Sequence, residues 1–166
     1  MANAWALVST VVGAQPIDEV STTQRHPLGR IVQAQHQTYG SGEFIYLKGV
    51  ASTAVGSWVT YNLDDMTTTL LAANAIGPVA VAMSANTAAT SFGWYQISGK
   101  AVGKALSGYL DNGLVYATST AGSIDDAVVA GDRVKLAVGA SAVDTPSTGL
   151  AEFEIARPFM DDATAA

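Results

Sequence analysis

Cysteine is absent from the chain. That excludes disulfides, thiolate metal sites and cysteine nucleophiles, and it leaves the redox compartment unread. Charge is scarce: Asp, Glu, Lys and Arg make up 13% of the residues, against roughly 25% in an ordinary globular protein. The polar surface must therefore come from Ser, Thr, Asn, Gln and Gly. That suits a β-rich chain, or one that hides much of its surface against partners. The eight basic residues are scattered and the formal net charge is -6, whereas a phosphate backbone is bound through clustered Lys and Arg. Nucleic-acid binding is not expected. Nor is a membrane partner, because no apolar run is long enough to span a bilayer. The opening "MANAWALVSTVVGAQ" has no basic start, the first basic residue being Arg25. It reads as a strand or docking arm and not as a signal peptide.

What is present is a set of short apolar runs between turn signals, in a chain of 166 residues that fits one domain. "EFIYLKGV" puts Phe44, Tyr46 and Lys48 on one face and Ile45 and Leu47 on the other. "GPVAVAMSA" sets Val79, Val81 and Met83 against Ala80, Ala82 and Ser84. "DRVKLAVGA" is expected to turn Val134, Leu136 and Val138 inward, and "LAEFEIARPF" to turn Phe153 and Ile155 inward with Glu152 and Glu154 outward. A period of two is the strand signal. The last two runs could pair, with opposite charges facing across the ladder. Asp111-Asn112-Gly113 marks a tight turn. About eight strands are expected at the spacing of a sandwich or barrel. Only "DDMTTTLLAANAIG" (64–77) could be a helix, and its three threonines and Gly-Pro ending argue for a short or absent one. The expected fold is all-β: a single domain of jelly-roll, β-sandwich or barrel type. Residues 1–30 are read as an N-terminal strand or extended arm, 31–160 as the β-rich domain and 161–166 as a tail. The polar stretch 14–42, with two prolines and both histidines, reads as arm or long loop more than core.

No chemistry assembles from the motifs. "SFGWYQISGKAVGKA" (91–105) holds two Gly-Lys pairs. A phosphate loop needs four residues between its glycines and a Ser or Thr after the lysine. Here five separate Gly93 from Gly99, and Ala101 follows Lys100. The better reading is a strand, a glycine turn and a second short strand. His26 and His36 lie ten apart, too far for a helical zinc pair, and read as two solvated side chains. Asp64-Asp65, Asp125-Asp126 and Asp161-Asp162 read as turn residues, since neighbours in a strand point to opposite faces. No Gly-x-Ser-x-Gly elbow exists. Trp58, Trp94, Tyr95, Tyr109 and Tyr116 could form a sugar-stacking surface, or serve as core or interface. A glycosidase drawing carboxylates from separate strands is a further possibility. Neither an enzyme, a cofactor nor a metal is expected.

The stretches "HPLGRIVQAQHQTYGSGEFIYLKGVASTAVGSWVTYN", "GPVAVAMSANTAATSFGWYQISGKAVGKA" and "AGSIDDAVVAGDRVKLAV" resemble a family of small head decoration, or capsid cement, proteins of tailed bacteriophages. The resemblance runs from about Leu28 to Phe159. It implies a β-rich protein on the outer surface of the virion capsid, assembled in the host cytoplasm. Such a protein binds the phage major capsid protein as a homo-oligomer, dimer or trimer, and stabilises the shell. The alternative is a glycan-binding or host-recognition module of a phage virion. The candidate contact residues are Trp5, Arg25, His26, Arg30, Lys100 and Lys104.

Overall fold

The computed structural model describes residues 5–7, 14–88 and 90–162. These form twelve strands and no helix: β1 (Trp5–Leu7), β2 (Val20–Ser21), β3 (Ile31–His36), β4 (Gly40–Gly49), β5 (Trp58–Tyr61), β6 (Thr68–Leu70), β7 (Gly77–Ala82), β8 (Ser91–Lys104), β9 (Leu114–Ala117), β10 (Ile124–Asp125), β11 (Arg133–Gly139) and β12 (Leu150–Met160). The fold is all-β, as the alternating runs predict. The stretch 64–77 holds only turns and the three-residue β6.

β8 is the spine. Its first part pairs antiparallel with β4 from Ser91 to Ser98, and its second with β12 from Ser98 to Lys104. The changeover falls at Gly99, whose φ is +97°. A Cβ there would lie 2.4 Å from the Ser41 carbonyl oxygen, so no side chain fits. The glycine turn expected here does not form: β8 runs on through Gly99, and the chain bends between partners without reversing.

Two rings of strands follow. β4, β8, β7, β5 and β6 pair in succession, and a bridge from Thr67 to Lys48 closes them back onto β4. Inside sit Ile45, Leu47, Val59, Ala80, Ala82, Tyr95 and Ile97. Ala82 faces Tyr95 in register, so a small side chain leaves room for the ring. The second half of β8, β12, β11, β9 and β10 form the other ring, closed by the Ala105–Ile124 bridge. Phe153, Ile155, Val134, Val115 and Ile124 fill it, joined by Trp58, Val79 and Val81. β5 and β7 therefore give alternate residues to two cores, as the period of two requires. Shared strands make the rings one unit.

A third cluster lies outside the first ring. Phe44, Tyr46 and Trp94 on the outer faces of β4 and β8 pack with Val32, Ala34 and Ile17. Stretch 14–42 is thus more than arm. It contains all of β3, and Ile17 is fully buried. Burying one such side chain contributes about 1.5–3 kcal/mol, enough to hold an otherwise irregular segment against the sheet.

β11 and β12 do pair antiparallel, but the register slips between Lys135 and Ala137. Leu136 takes φ +59° and is exposed, while Ala137 turns inward. Val138 is only half-buried. The inward face of β11 is therefore Val134 and Ala137, because a bulge reverses every side chain beyond it. A non-glycine residue in the left-handed region costs roughly 1–2 kcal/mol. The expected charges do not meet across this ladder: Lys135 pairs with Asp161, and Glu152 with Lys100 on β8. Asp161, expected in the tail, is tied by that contact.

Candidate partner-binding face

Residues 14–30 cross the outside of β4 and β8, with only Val20–Ser21 joining a strand, opposite Gly93 and Phe92. An irregular segment must find partners for its backbone polar groups elsewhere. Gln15, fully buried, supplies them. Its amide nitrogen Nε2 donates to the carbonyls of Glu19 at 2.7 Å and Phe92 at 3.1 Å. The Tyr46 hydroxyl donates to its Oε1 at 2.9 Å, and Trp94 Nε1 donates to its main-chain carbonyl at 2.8 Å. Its backbone N–H donates to His26 Nε2 at 3.0 Å.

His26 is therefore buried, not solvated as its polar surroundings in the sequence predict. Its ring lies edge-on to Tyr46 and tilted over Trp94, with centroids 5.1 and 5.3 Å away. Burial first, then the guanidiniums of Arg30 and Arg25, hold its pKa below the usual histidine value. A neutral ring is what the Gln15 N–H requires as acceptor, which leaves the imidazole proton on Nδ1.

Arg25 and Arg30 flank this histidine and are exposed, and neither makes an ion pair among the described residues. Their backbones are nevertheless anchored on one residue. Arg25 N–H donates to the Tyr46 hydroxyl at 3.3 Å, and Tyr46 N–H donates to the Arg30 carbonyl at 2.9 Å. Two fixed backbones thus hold two free cations on one face of a chain with net charge -6. Uncompensated cations at such a place favour an acidic surface.

The other sequence candidates lie apart from this pair or are already engaged. Trp5, on β1, packs its ring 4.9 Å from those of His36 and Phe44, at the rim of the same outer cluster. His36, half-buried, stacks on Tyr39 at 4.6 Å. Lys100 and Lys104 stand on the second half of β8. Lys100 is bound to Glu152 and lies 5.9 Å over the Tyr39 ring, so its charge is already compensated within the chain. Lys104 makes no ion pair among the described residues. Gln15 and Tyr46, which position the arginines, carry no sequence signal for that role.

Two chemical expectations resolve at the same level. Trp58, Trp94, Tyr95, Tyr109 and Tyr116 are all buried, so these five form no sugar-stacking surface. Of the aspartate pairs only Asp64-Asp65 acts in a turn, where Asp65 accepts from Thr67 N–H and Oγ1. Asp125 lies in β10, Asp126 accepts from the distant Leu110 N–H, and Asp161 pairs with Lys135. Among the described residues no group of three His, Asp or Glu could hold a metal ion. Compared with known proteins, the chain matches no family model, no curated protein and no solved structure.

Proposed function

We propose that the protein is a structural decoration, or cement, protein of a tailed-phage capsid, which binds the outside of the assembled shell and stabilises it. The observation that carries this reading is the Arg25–Arg30 pair. Two unpaired cations are anchored through Tyr46 on an added outer layer of an otherwise acidic β-protein. The family resemblance over Leu28–Phe159 supports it. So does the burial of Trp58, Trp94, Tyr95, Tyr109 and Tyr116, which counts against a sugar-stacking surface built on them. An outer-shell binder acts by mass action: it binds the assembled shell and not the separated subunits. At a free concentration of 100 times its Kd this adds about 2.7 kcal/mol per site.

The test is sedimentation of purified protein with undecorated capsids. Co-sedimentation at micromolar concentration is expected, together with a marked loss in the double variant Arg25→Glu, Arg30→Glu. Protein that stays in the supernatant overturns the reading. Truncation of the first thirty residues is a poorer test, because it also strips Ile17 and Gln15 from Tyr46 and Trp94.

A further inference from the structure

Leu136 combines two features that folding alone does not favour. It is a non-glycine residue at φ +59° within a strand, and it is 65% exposed. An Asn or Gly would hold the same bulge with less backbone strain and no exposed apolar surface. Strain of this kind gathers where a surface is used. The bulge lifts Leu136 to the rim of a groove of about 570 Å³ on the outer face of β9, β11 and β12. Leu114, Val138 and Ala156 line it with two charged residues, Arg133 and Glu154. Leu114 is 40% exposed, so the apolar lining is open to a partner.

The two charges restrict what can cover the groove. Neither Arg133 nor Glu154 makes an ion pair among the described residues. Glu154 feels Lys100 only at longer range, since Glu152 holds that ammonium. A partner surface of one sign would neutralise one of the pair and bury the other without compensation, which is costly. A second copy of the chain, related by a two-fold axis, would set each Arg133 against the other copy's Glu154 and each Leu136 into the opposite groove. Two-fold interfaces are self-complementary in this way.

We infer that the β9–β11–β12 face is a self-association surface, centred on Leu136 and paired by Arg133 and Glu154 across a two-fold axis. Of the proposed function it uses only the expectation that copies associate, and it is tested without capsids. Sedimentation equilibrium of the full chain should give twice the chain mass, dissociating on dilution. Leu136→Asp should abolish association. Leu136→Asn should abolish it too while the monomer unfolds at no lower temperature, which separates an interface role from a structural one. Arg133→Glu and Glu154→Arg should each weaken the dimer at least about tenfold, and the double variant should restore it. A monomer at all concentrations, a mass of three chains, an undiminished dimer in Leu136→Asp, or a double variant as weak as the singles would overturn the inference. Loss of capsid binding with the dimer intact would count against the shell reading alone.

Discussion

The indole N–H of Trp94 donates to the main-chain carbonyl of Gln15 at 2.8 Å, joining residues 79 positions apart. This bond and the Gln15 side-chain bonds fasten an irregular segment to a strand that is buried on both faces. The arginines stand where they do because of that fastening.

Gln15→Leu keeps the volume and removes the polar partners. It leaves the Tyr46 hydroxyl without its acceptor and the Glu19 and Phe92 carbonyls without their donor. A buried group left unsatisfied costs about 1–3 kcal/mol. Hydrogen exchange should show faster opening over residues 14–30, with β12 and β8 beyond Gly99 little changed. Uniform acceleration through both rings would contradict a local fastening.

His26 should make the same segment sensitive to acid. Its folded pKa lies below the unfolded value of about 6.5, so the folded state resists a proton that the unfolded state accepts. Its contribution is fully present above the unfolded pKa and is lost as pH falls through the lowered folded pKa. Limited proteolysis of residues 14–30 should therefore quicken between about pH 7 and pH 5. His26→Gln, whose Oε1 can accept the Gln15 N–H without titrating, should flatten that profile. An unchanged profile in the variant would assign the effect to other groups.

Gly103 packs against Trp58 so closely that a Cβ would lie 2.6 Å from the indole nitrogen. Gly103→Ala should cost about 1–3 kcal/mol by overpacking, read as a fall in Tm of about 2–4 °C per kcal/mol. Among the described residues Trp58 Nε1 has no hydrogen-bond partner, so Trp58→Phe gives up no such bond while opening space. In that background the alanine should cost at least about 0.5 kcal/mol less. Strict additivity of the two changes would show that the indole is not what the methyl meets.

Lys100 and Lys104 should behave differently although their sequence settings look alike. Glu152 binds Lys100 and raises its pKa, but the pair is partly exposed, so Lys100→Ala should cost less than about 1 kcal/mol. Lys100→Glu, which sets a carboxylate against Glu152, should cost more and recover with added salt. Lys104→Glu should leave stability unchanged. Equal denaturation midpoints for both glutamate variants would refute the distinction.

The strands were legible in the residues where alternation was clean. Phe44 and Tyr46 against Ile45 and Leu47, or Val79 and Val81 against Ala80 and Ala82, are divided between cores as their period of two implies. Alternation fails at Leu136, because one residue in the left-handed region flips the facing beyond it and no composition marks the place. For a related reason His26 reads as a solvated side chain in the sequence and Gln15 carries no signal there. Polar residues are buried when distant partners satisfy them, and those partners are Tyr46, Phe92 and Trp94.

By itself the sequence determined an all-β chain without cysteine, rich in short alternating runs and poor in charge, because periodicity and composition are local properties. Only the tertiary structure decided that β8 serves two rings, that Gly99 bends without turning, and that Arg25 and Arg30 share a face. Each of these depends on which strand lies beside which, and the physical reason is close approach. Ser41 leaves no room for a side chain at residue 99, and Tyr46 binds both arginine backbones from a strand that neither belongs to.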